Sequence, residues 1–474
     1  MTLTNQTIKP ATSSSSIIDV MNEAHRIPGN PAGVFQIGER IQQKGRALVK
    51  ASKSTLSHVT ACTLLLGLIL STVALAATRD VQFVVYSSED RVPMYQQNFD
   101  AFKAKTGIGV EHQQAPGGQV QKWEQVITRI AGGVSPDVVG AVSVEFVQYA
   151  ANGLILPVDD FIQRDKVNTG SIIPILVSAL QWRGKQYMMP YGASGLPLVY
   201  NVQLFDEAGV AYPPDVWGRP EWNWETFVDT LRKLTKTDGD GNITQYGLGG
   251  PPWDSWITLP YTWGGDWIDS ELKRFMGTSP ETLDALQAMQ DLRWNYRVMG
   301  TGGGLLEGRA AMVGWGTWNL PAMIRSPLNL RMAPWFVVGT HPPKGPINPM
   351  GLAILATSPN KEAAWEYVKF STLDPEGNYL FANAAGALPG TPQAYRRWQE
   401  SIQAQKAGLN PFAFVQQVAE HGAIVNIRKV TTFTDINAVM NPAVSAVINN
   451  VKSPTAAMEE VAPVVQTLID QSAH

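Results

Sequence analysis

Apolar residues in this chain alternate between short continuous runs and stretches with helical spacing. Val81 to Tyr86 (VQFVVY) is a run of β-forming residues and predicts a buried strand. Pro93 to Lys105 sets Tyr95, Phe99 and Phe102 on one helical face and stops at Gly107. Val110 to Gln113 suits a second strand. Lys122 to Ala131 spaces Trp123, Val126, Ile127 and Ile130 for one face and ends at Gly132-Gly133. Pro136-Asp137 then opens a strand over Val138 to Val142. Strand, helix, strand, helix, strand in this order predicts a parallel sheet with helices on both faces.

The alternation continues downstream. Phe146 to Ala151 reads as a helix, Leu196 to Tyr200 as a strand, and Trp224 to Leu234 as a helix with Phe227, Leu231 and Leu234 inward. Ser279 with Pro280 at the first helical position caps a helix running to about Tyr296. Asn360 caps another, KEAAWEYVKF. Two segments imitate functional loops. Asp238-Gly-Asp-Gly-Asn242 begins like a calcium loop, but the twelfth position is Gly249 where glutamate is needed, so a tight turn is expected. Gly302-Gly303-Gly304 has no Lys-Ser/Thr behind it and reads as a flexible connector, not a phosphate loop.

Upstream, Ala61 to Ala77 (ACTLLLGLILSTVALAA) follows Arg46, Lys50 and Lys53 and carries an A-x-A arrangement ending at Ala76. This is a signal-peptide pattern, long enough also for an uncleaved anchor. It places the rest of the chain in the periplasm or outside the cell. Residues 1–60 form a polar extension. Of 474 residues 44% are hydrophobic and 16% charged, which suits a folded chain of two lobes plus a leader. Beyond residue 77 stand 30 Lys/Arg against 37 Asp/Glu, which argues against nucleic acid as a partner. The single cysteine, Cys62, lies in the leader, so neither a disulfide framework nor a Cys nucleophile is available after it. The six histidines show no metal-ligand spacing, no Gly-x-Ser-x-Gly elbow occurs, and no carboxylate pair stands out. No cofactor or metal is expected. All 15 tryptophans lie from Trp123 onward, consistent with ring stacking or a Trp-rich core.

Several stretches taken together resemble the extracellular sugar-binding proteins of ABC importers, the family that includes maltose-binding protein. They are Phe102-Lys-Ala-Lys-Thr-Gly-Ile108, Ser135-Pro-Asp-Val138 and Tyr149-Ala-Ala-Asn-Gly-Leu-Ile-Leu-Pro157. Further on come Gly184-Lys-Gln-Tyr-Met-Met-Pro-Tyr191, Leu198-Val-Tyr-Asn201, Trp263-Gly-Gly-Asp266 and Glu307-Gly-Arg-Ala-Ala-Met312 with Trp318. Ser358-Pro-Asn-Lys-Glu-Ala-Ala-Trp365 and Gly386-Ala-Leu-Pro389 complete the series. The resemblance implies a two-lobed α/β periplasmic-binding fold, each lobe a mostly parallel sheet flanked by helices. Lobe 1 would be 79–193 with 350–390, and lobe 2 would be 197–347 with 391–474. Crossings are expected near Gly192 to Leu196, Asn348 to Leu352 and Gly386 to Gln393. The implied function is capture of a carbohydrate in the cleft, without catalysis, by a monomer that delivers it to membrane permease subunits. A polyol, polyol phosphate or polyamine ligand, or a secreted carbohydrate-active enzyme, are the competing readings.

A sugar needs an aromatic wall for its C–H face and polar groups for its hydroxyl edge. Clefts in such sheets lie beyond the carboxyl ends of strands. That selects Ser87 and Glu89 after the first strand, Ser143 and Glu145 after the strand at Val138, and Trp253, Trp256, Trp263 and Asp266 from the second lobe. Tyr191 and Asn348 fall at crossings. Trp318, with Trp315 beside it, follows Ala-Ala-Met where the maltose-binding relatives place a stacking Trp. Small residues around Ala141 to Ser143 stand where those relatives carry another Trp, which points away from maltose itself.

Overall fold

The computed structural model describes residues 79–85, 89–115, 118–251 and 255–472. The leader and polar extension lie outside them. Fourteen strands are present: β1 (Val81–Val85), β2 (Val110–Gln114), β3 (Val138–Val142), β4 (Gln181–Trp182), β5 (Lys185–Gln186), β6 (Met189–Gly195), β7 (Leu198–Asn201), β8 (Lys236–Thr237), β9 (Ile243–Leu248), β10 (Ala310–Gly314), β11 (Leu330–Ala333), β12 (Gly345–Ile354), β13 (Leu388–Pro389) and β14 (Gly422–Ala423). Seven of them form one sheet in the order β13-β6-β12-β3-β1-β2, with β14 also on β12. Five form a second sheet, β11-β7-β10-β9-β8, and β4-β5 is a separate hairpin.

The opening β-α-β-α-β unit is as expected, with β1 parallel to both β2 and β3. Strand directions elsewhere are more mixed. β12 runs antiparallel to β3 and β6, and in the second sheet only β9 and β10 are parallel. The reason is connectivity: β6 and β12 carry the chain between the sheets, so they enter in opposite senses. β6 ends at Gly195 and β7 starts at Leu198, which matches the first expected crossing. Residues 348–352 lie inside β12, so the second passage comes earlier, between Ala333 and Gly345. β13 still pairs with β6 through Leu388 and Ala193, and the next helix, Pro392–Gln405, buries Trp398 and Ile402 in the first core. The last two helices, Phe433–Ile448 and Pro454–Gln471, pack in the second core.

Both faces of the first sheet are covered. Phe83 points to a cluster with Tyr95, Phe99, Phe102, Tyr367 and Phe381, while Val84 points to one with Trp123, Val126 and Phe146. Helix Val92–Thr106 buries Tyr95, Asn98, Phe99 and Phe102, and Gly107 ends it at φ 77°, donating its N–H to Lys103 O. Helix Gln119–Ala131 is rotated from the expected face. Ile127 is 46% exposed, and Lys122 is fully buried instead, because its ammonium has partners inside. Helices Trp224–Leu234 and Pro280–Trp294 form with Asn223 and Ser279 as side-chain caps. Asn360 stands at the N-cap of Lys361–Leu373 without capping it; its amide donates to Arg79 O at 2.7 Å. Asp238 closes its turn by accepting from Asp240 N and Asn242 N. The triple glycine is not a loose tether, since Gly302 N donates to Gly249 O at 2.8 Å and a Cβ on Gly249 would stand 2.0 Å from Gly303 O.

Asp137 ties this half together. Its carboxylate is fully buried and accepts from Arg79 Nη2 (2.8 and 2.9 Å), Gln82 N (2.9 Å) and Ser358 Oγ (2.7 Å). Replacing it strips three donors of their acceptor, one of them a charged group on the surface. Asp137→Ala is expected to lower unfolding free energy by about 2–4 kcal/mol in urea titration, with Asp137→Asn losing less.

Candidate functional site

The expected site residues fall into three places. Ser87 and Trp253 lie outside the described residues. The ends of β1 and β10 are joined through Arg91, two residues beyond Glu89, which donates to Trp318 O, whereas the residues of the aromatic segment after β9 are buried in the second core or border a separate cavity.

Beyond β1, Glu89 is exposed, while Arg91 two residues on is 9% exposed. Arg91 donates from Nη1 to Ala384 O (3.0 Å) and from Nη2 to Trp318 O. It therefore joins the turn after β1 to the helix Pro375–Ala385 and to the turn after β10. Gly386 makes room for the junction: a Cβ there would lie 2.7 Å from Arg91 Nη1 and 2.8 Å from Trp318 Cα, and its φ is 68°. Only glycine meets both conditions without strain.

Beyond β3, Ser143 is buried and its N–H donates to Pro349 O at 2.8 Å, while its Oγ has no hydrogen-bond partner. Glu145 has one oxygen engaged. It takes Lys122 Nζ at 3.1 Å and Trp123 Nε1 at 2.9 Å on the same oxygen, and Lys122 also donates to Gly140 O at 2.9 Å. Burial drives the Lys122 ammonium below its usual range, and Glu145 opposes that. Tyr149 stacks on Trp123 at 3.8 Å between centroids, and burial, with Glu145's charge added, pushes its phenol up to about 12.

Tyr191 on β6 is 1% exposed, edge-on to Phe381 at 4.7 Å. Its phenol lies well above the ordinary value through burial first, with Tyr95 and Glu145 adding and Arg91 opposing. It is a sealed neighbour of the site and not an open wall. Asn348 on β12 is opposite Ser194 of β6 and 8% exposed.

Beyond β10 the chain makes a short turn, Thr317–Asn319. Trp315 and Trp318 are both partly buried there. Trp315 N donates to Pro197 O (3.1 Å), and Thr317 Oγ1 accepts from Gly195 N (3.3 Å), so the turn is fastened to the passage between the sheets. The ring of Trp318 lies over Gly316, where a Cβ would be 2.1 Å from Cζ2. The Asn319 amide sits between the two indole N–H groups. With its oxygen toward them it accepts from Trp315 Nε1 at 2.9 Å and from Trp318 Nε1 at 3.0 Å.

Trp256 and Trp263 correct the expectation of an aromatic cleft wall. They are 6% and 8% exposed in the second core, edge-on to Trp267 and to Trp224 and Phe336. Residues 256–260 of helix Ser255–Thr262 are all buried, as expected where apolar residues occupy most of a helix's circumference. Asp266 borders a different cavity of 480 Å³ with Tyr261, Ser279, Glu281, His341 and Asn426. It accepts from Tyr261 OH and Trp267 N, and burial raises its carboxyl above the usual range against those donors. Sequence reasoning missed Lys122 and Asn319 and left Arg91 unplaced. A lysine inside an apolar helical stripe was the only signal for the first, and none marked Asn319.

Comparison with known proteins bears on the whole arrangement. The family described as bacterial extracellular solute-binding protein matches residues 87–377. A maltotriose-binding protein of Pyrococcus abyssi is 24% identical over 252 residues, 51% of this chain and 52% of that protein. The chain spans about half the length of the curated relatives it matches. Among solved structures, an ABC substrate-binding protein from Listeria monocytogenes in complex with cycloalternan superposes with a TM-score of 0.70 at 20% identity, over 83% of this chain and 99% of that one. UgpB from Mycobacterium tuberculosis in complex with glycerophosphocholine gives 0.70 at 18% identity, over 83% and 98%. These likenesses establish the two-lobed fold.

The raised carboxyl of Asp266 has a signed consequence. Near 3.8 the unfolded chain gives up this proton first, so the folded state loses stability as pH climbs through the raised value. Asp266→Asn removes that loss. The stability of Asp266→Asn relative to the native chain should therefore increase between about pH 4 and pH 7, measured by urea unfolding at each pH.

Proposed function

We propose that this chain, which belongs to the family of bacterial extracellular solute-binding proteins, captures a neutral carbohydrate between its lobes and hands it to the permease subunits of an ABC importer. The observation that carries the reading is the Trp315–Trp318 pair, two partly buried indoles joined by one amide, with the carbonyl of Trp318 held by buried Arg91. Arg91 is held by two carbonyls, and Lys122 and Glu145 hold each other. A phosphate would call for a free cation and a polyamine for several free anions, whereas Arg91 is engaged by two carbonyls and Lys122 by Glu145. A pyranose face needs only an aromatic plane, where removing on the order of 50 Å² of apolar surface from water yields roughly 1 kcal/mol. Its hydroxyls need partners, since each one left unmade costs about 1–3 kcal/mol. Ser143 Oγ and Asn348 are polar groups at the same end of the first sheet.

In this reading lobe 1 is built on the first sheet and lobe 2 on the second. Ligand touching both favours a closed form by its difference in affinity for the two forms. The protein works as a monomer outside the cytoplasm, with residues 61–77 as export signal or anchor, and performs no chemistry on its ligand. The relatives support the ligand class: one is named for maltotriose, and another was solved with cycloalternan. The glycerophosphocholine complex supplies the competing class.

A thermal-shift and calorimetry panel of malto-oligosaccharides, cyclic oligosaccharides, polyols, glycerophosphocholine and polyamines decides between them. A sugar at one hundred times its Kd should stabilise the fold by about 2.7 kcal/mol, and Trp318→Ala should weaken it by roughly tenfold or more. Recovered sugar should be unchanged by chromatography. Cleavage products, or a response confined to the phosphate ester or the amines, would overturn the assignment.

A further inference from the structure

We infer that Asn319 is a positioning residue that fixes both indoles of the Trp315–Trp318 pair and, by occupying both N–H groups, restricts that wall to uncharged rings bound by their faces. The restriction rests on the carbohydrate reading above; the clamp itself does not.

An indole N–H donates and never accepts. Two such donors, from Trp315 and Trp318, converge on one side chain at 2.9 and 3.0 Å. A carbonyl oxygen has two lone pairs, so a single amide oxygen satisfies both, whereas an NH2 group in its place would confront two donors with a third. The backbone that carries this side chain is held, because Asn319 N donates to Gly316 O at 2.9 Å within the turn. Each indole is then fastened at two points. Trp315 is held at its backbone N–H by Pro197 O and at its tip by Asn319. Trp318 is held at its backbone carbonyl by Arg91 and at its tip by Asn319, with its ring laid over Gly316.

Two consequences follow for a ligand. The planes of both rings are set before it arrives, which removes the rotamer entropy that a free Trp would lose on stacking. Neither indole has an N–H left to give, so an anionic oxygen finds no donor on either ring, while a sugar's C–H face requires none.

The test uses the full chain with nitrogen-labelled tryptophan and maltotriose as probe. Asn319→Leu removes the acceptor with little change in size, and Asn319→Asp keeps one. In the native protein the indole N–H signals of Trp315 and Trp318, assigned by Trp315→Phe and Trp318→Phe, should be protected from solvent exchange. Asn319→Leu should expose both together and weaken maltotriose by roughly tenfold. Asn319→Asp should restore protection and bring affinity to within about threefold of native. Should Asn319→Leu fail to fold, Asn319→Ser, which leaves a shorter acceptor, should show the same paired loss of protection. Protection unchanged in the Leu or Ser variant overturns the clamp, whether or not any sugar binds the native chain. Lost protection with undiminished maltotriose affinity overturns the positioning role. Failure of every sugar to bind the native protein ends the carbohydrate reading and with it the restriction to face-bound rings, while the exchange result still decides the clamp.

Discussion

Among the described residues no carboxylate hydrogen-bonds the buried guanidinium of Arg91, and its partners are backbone carbonyls instead. Its two terminal nitrogens reach Ala384 O and Trp318 O, which belong to segments far apart in the chain. A planar fork suits two acceptors at fixed angles better than a flexible ammonium would. Because the charge has left bulk water, those carbonyls must stay where they are, and the segments carrying them are fixed in turn. Gly386 lacks a Cβ at the point where the three chain segments touch, and Tyr191 lies close enough to feel the charge. The position of Trp318, on which the proposed ligand wall depends, is thus tied to an ion carried by the opposite half of the molecule.

The tryptophans divide according to what their N–H groups find. Trp267 donates to Ile257 O, Trp222 to Pro334 O and Trp335 to Leu196 O, all inside cores. Trp123 donates to Glu145, which is also the partner of buried Lys122, so one carboxylate serves a cation and an indole at once. Trp315 and Trp318 share an amide at the surface of the second half. A high Trp count alone therefore carries two meanings in this chain, ballast for the cores and the wall of the proposed site.

Much of the fold was legible in hydrophobic spacing. Phe227, Leu231 and Leu234 read as one face and are buried as one, and the opening βαβαβ unit follows from VQFVV, the Tyr95–Phe102 stripe and VVGAV. Reading failed where long-range partners decide. Lys122 enters the core because Gly140 O and Glu145 await it, and neither is visible from the helix that carries it. Strand directions in the second sheet depend on how the chain returns from the first, which local pattern does not encode. At the proposed site, Trp318 was suggested by resemblance, whereas Asn319 and Arg91 enter only through geometry. Trp256 and Trp263 misled because an aromatic cluster after a strand looks the same in sequence whether it faces a cleft or a neighbouring helix.

The shortest connection between the two sheets is Leu196–Pro197, and it is gripped from both sides. Leu196 N donates to Pro346 O and its carbonyl accepts from Trp335 Nε1, while Pro197 O holds Trp315 and the preceding Gly195 holds Thr317. The turn bearing the indole pair is therefore bolted to the pivot itself. In the proposed closure, a swing of one sheet about this link would carry the two rings with it, so that the angle between the halves would set the attitude of the aromatic surface.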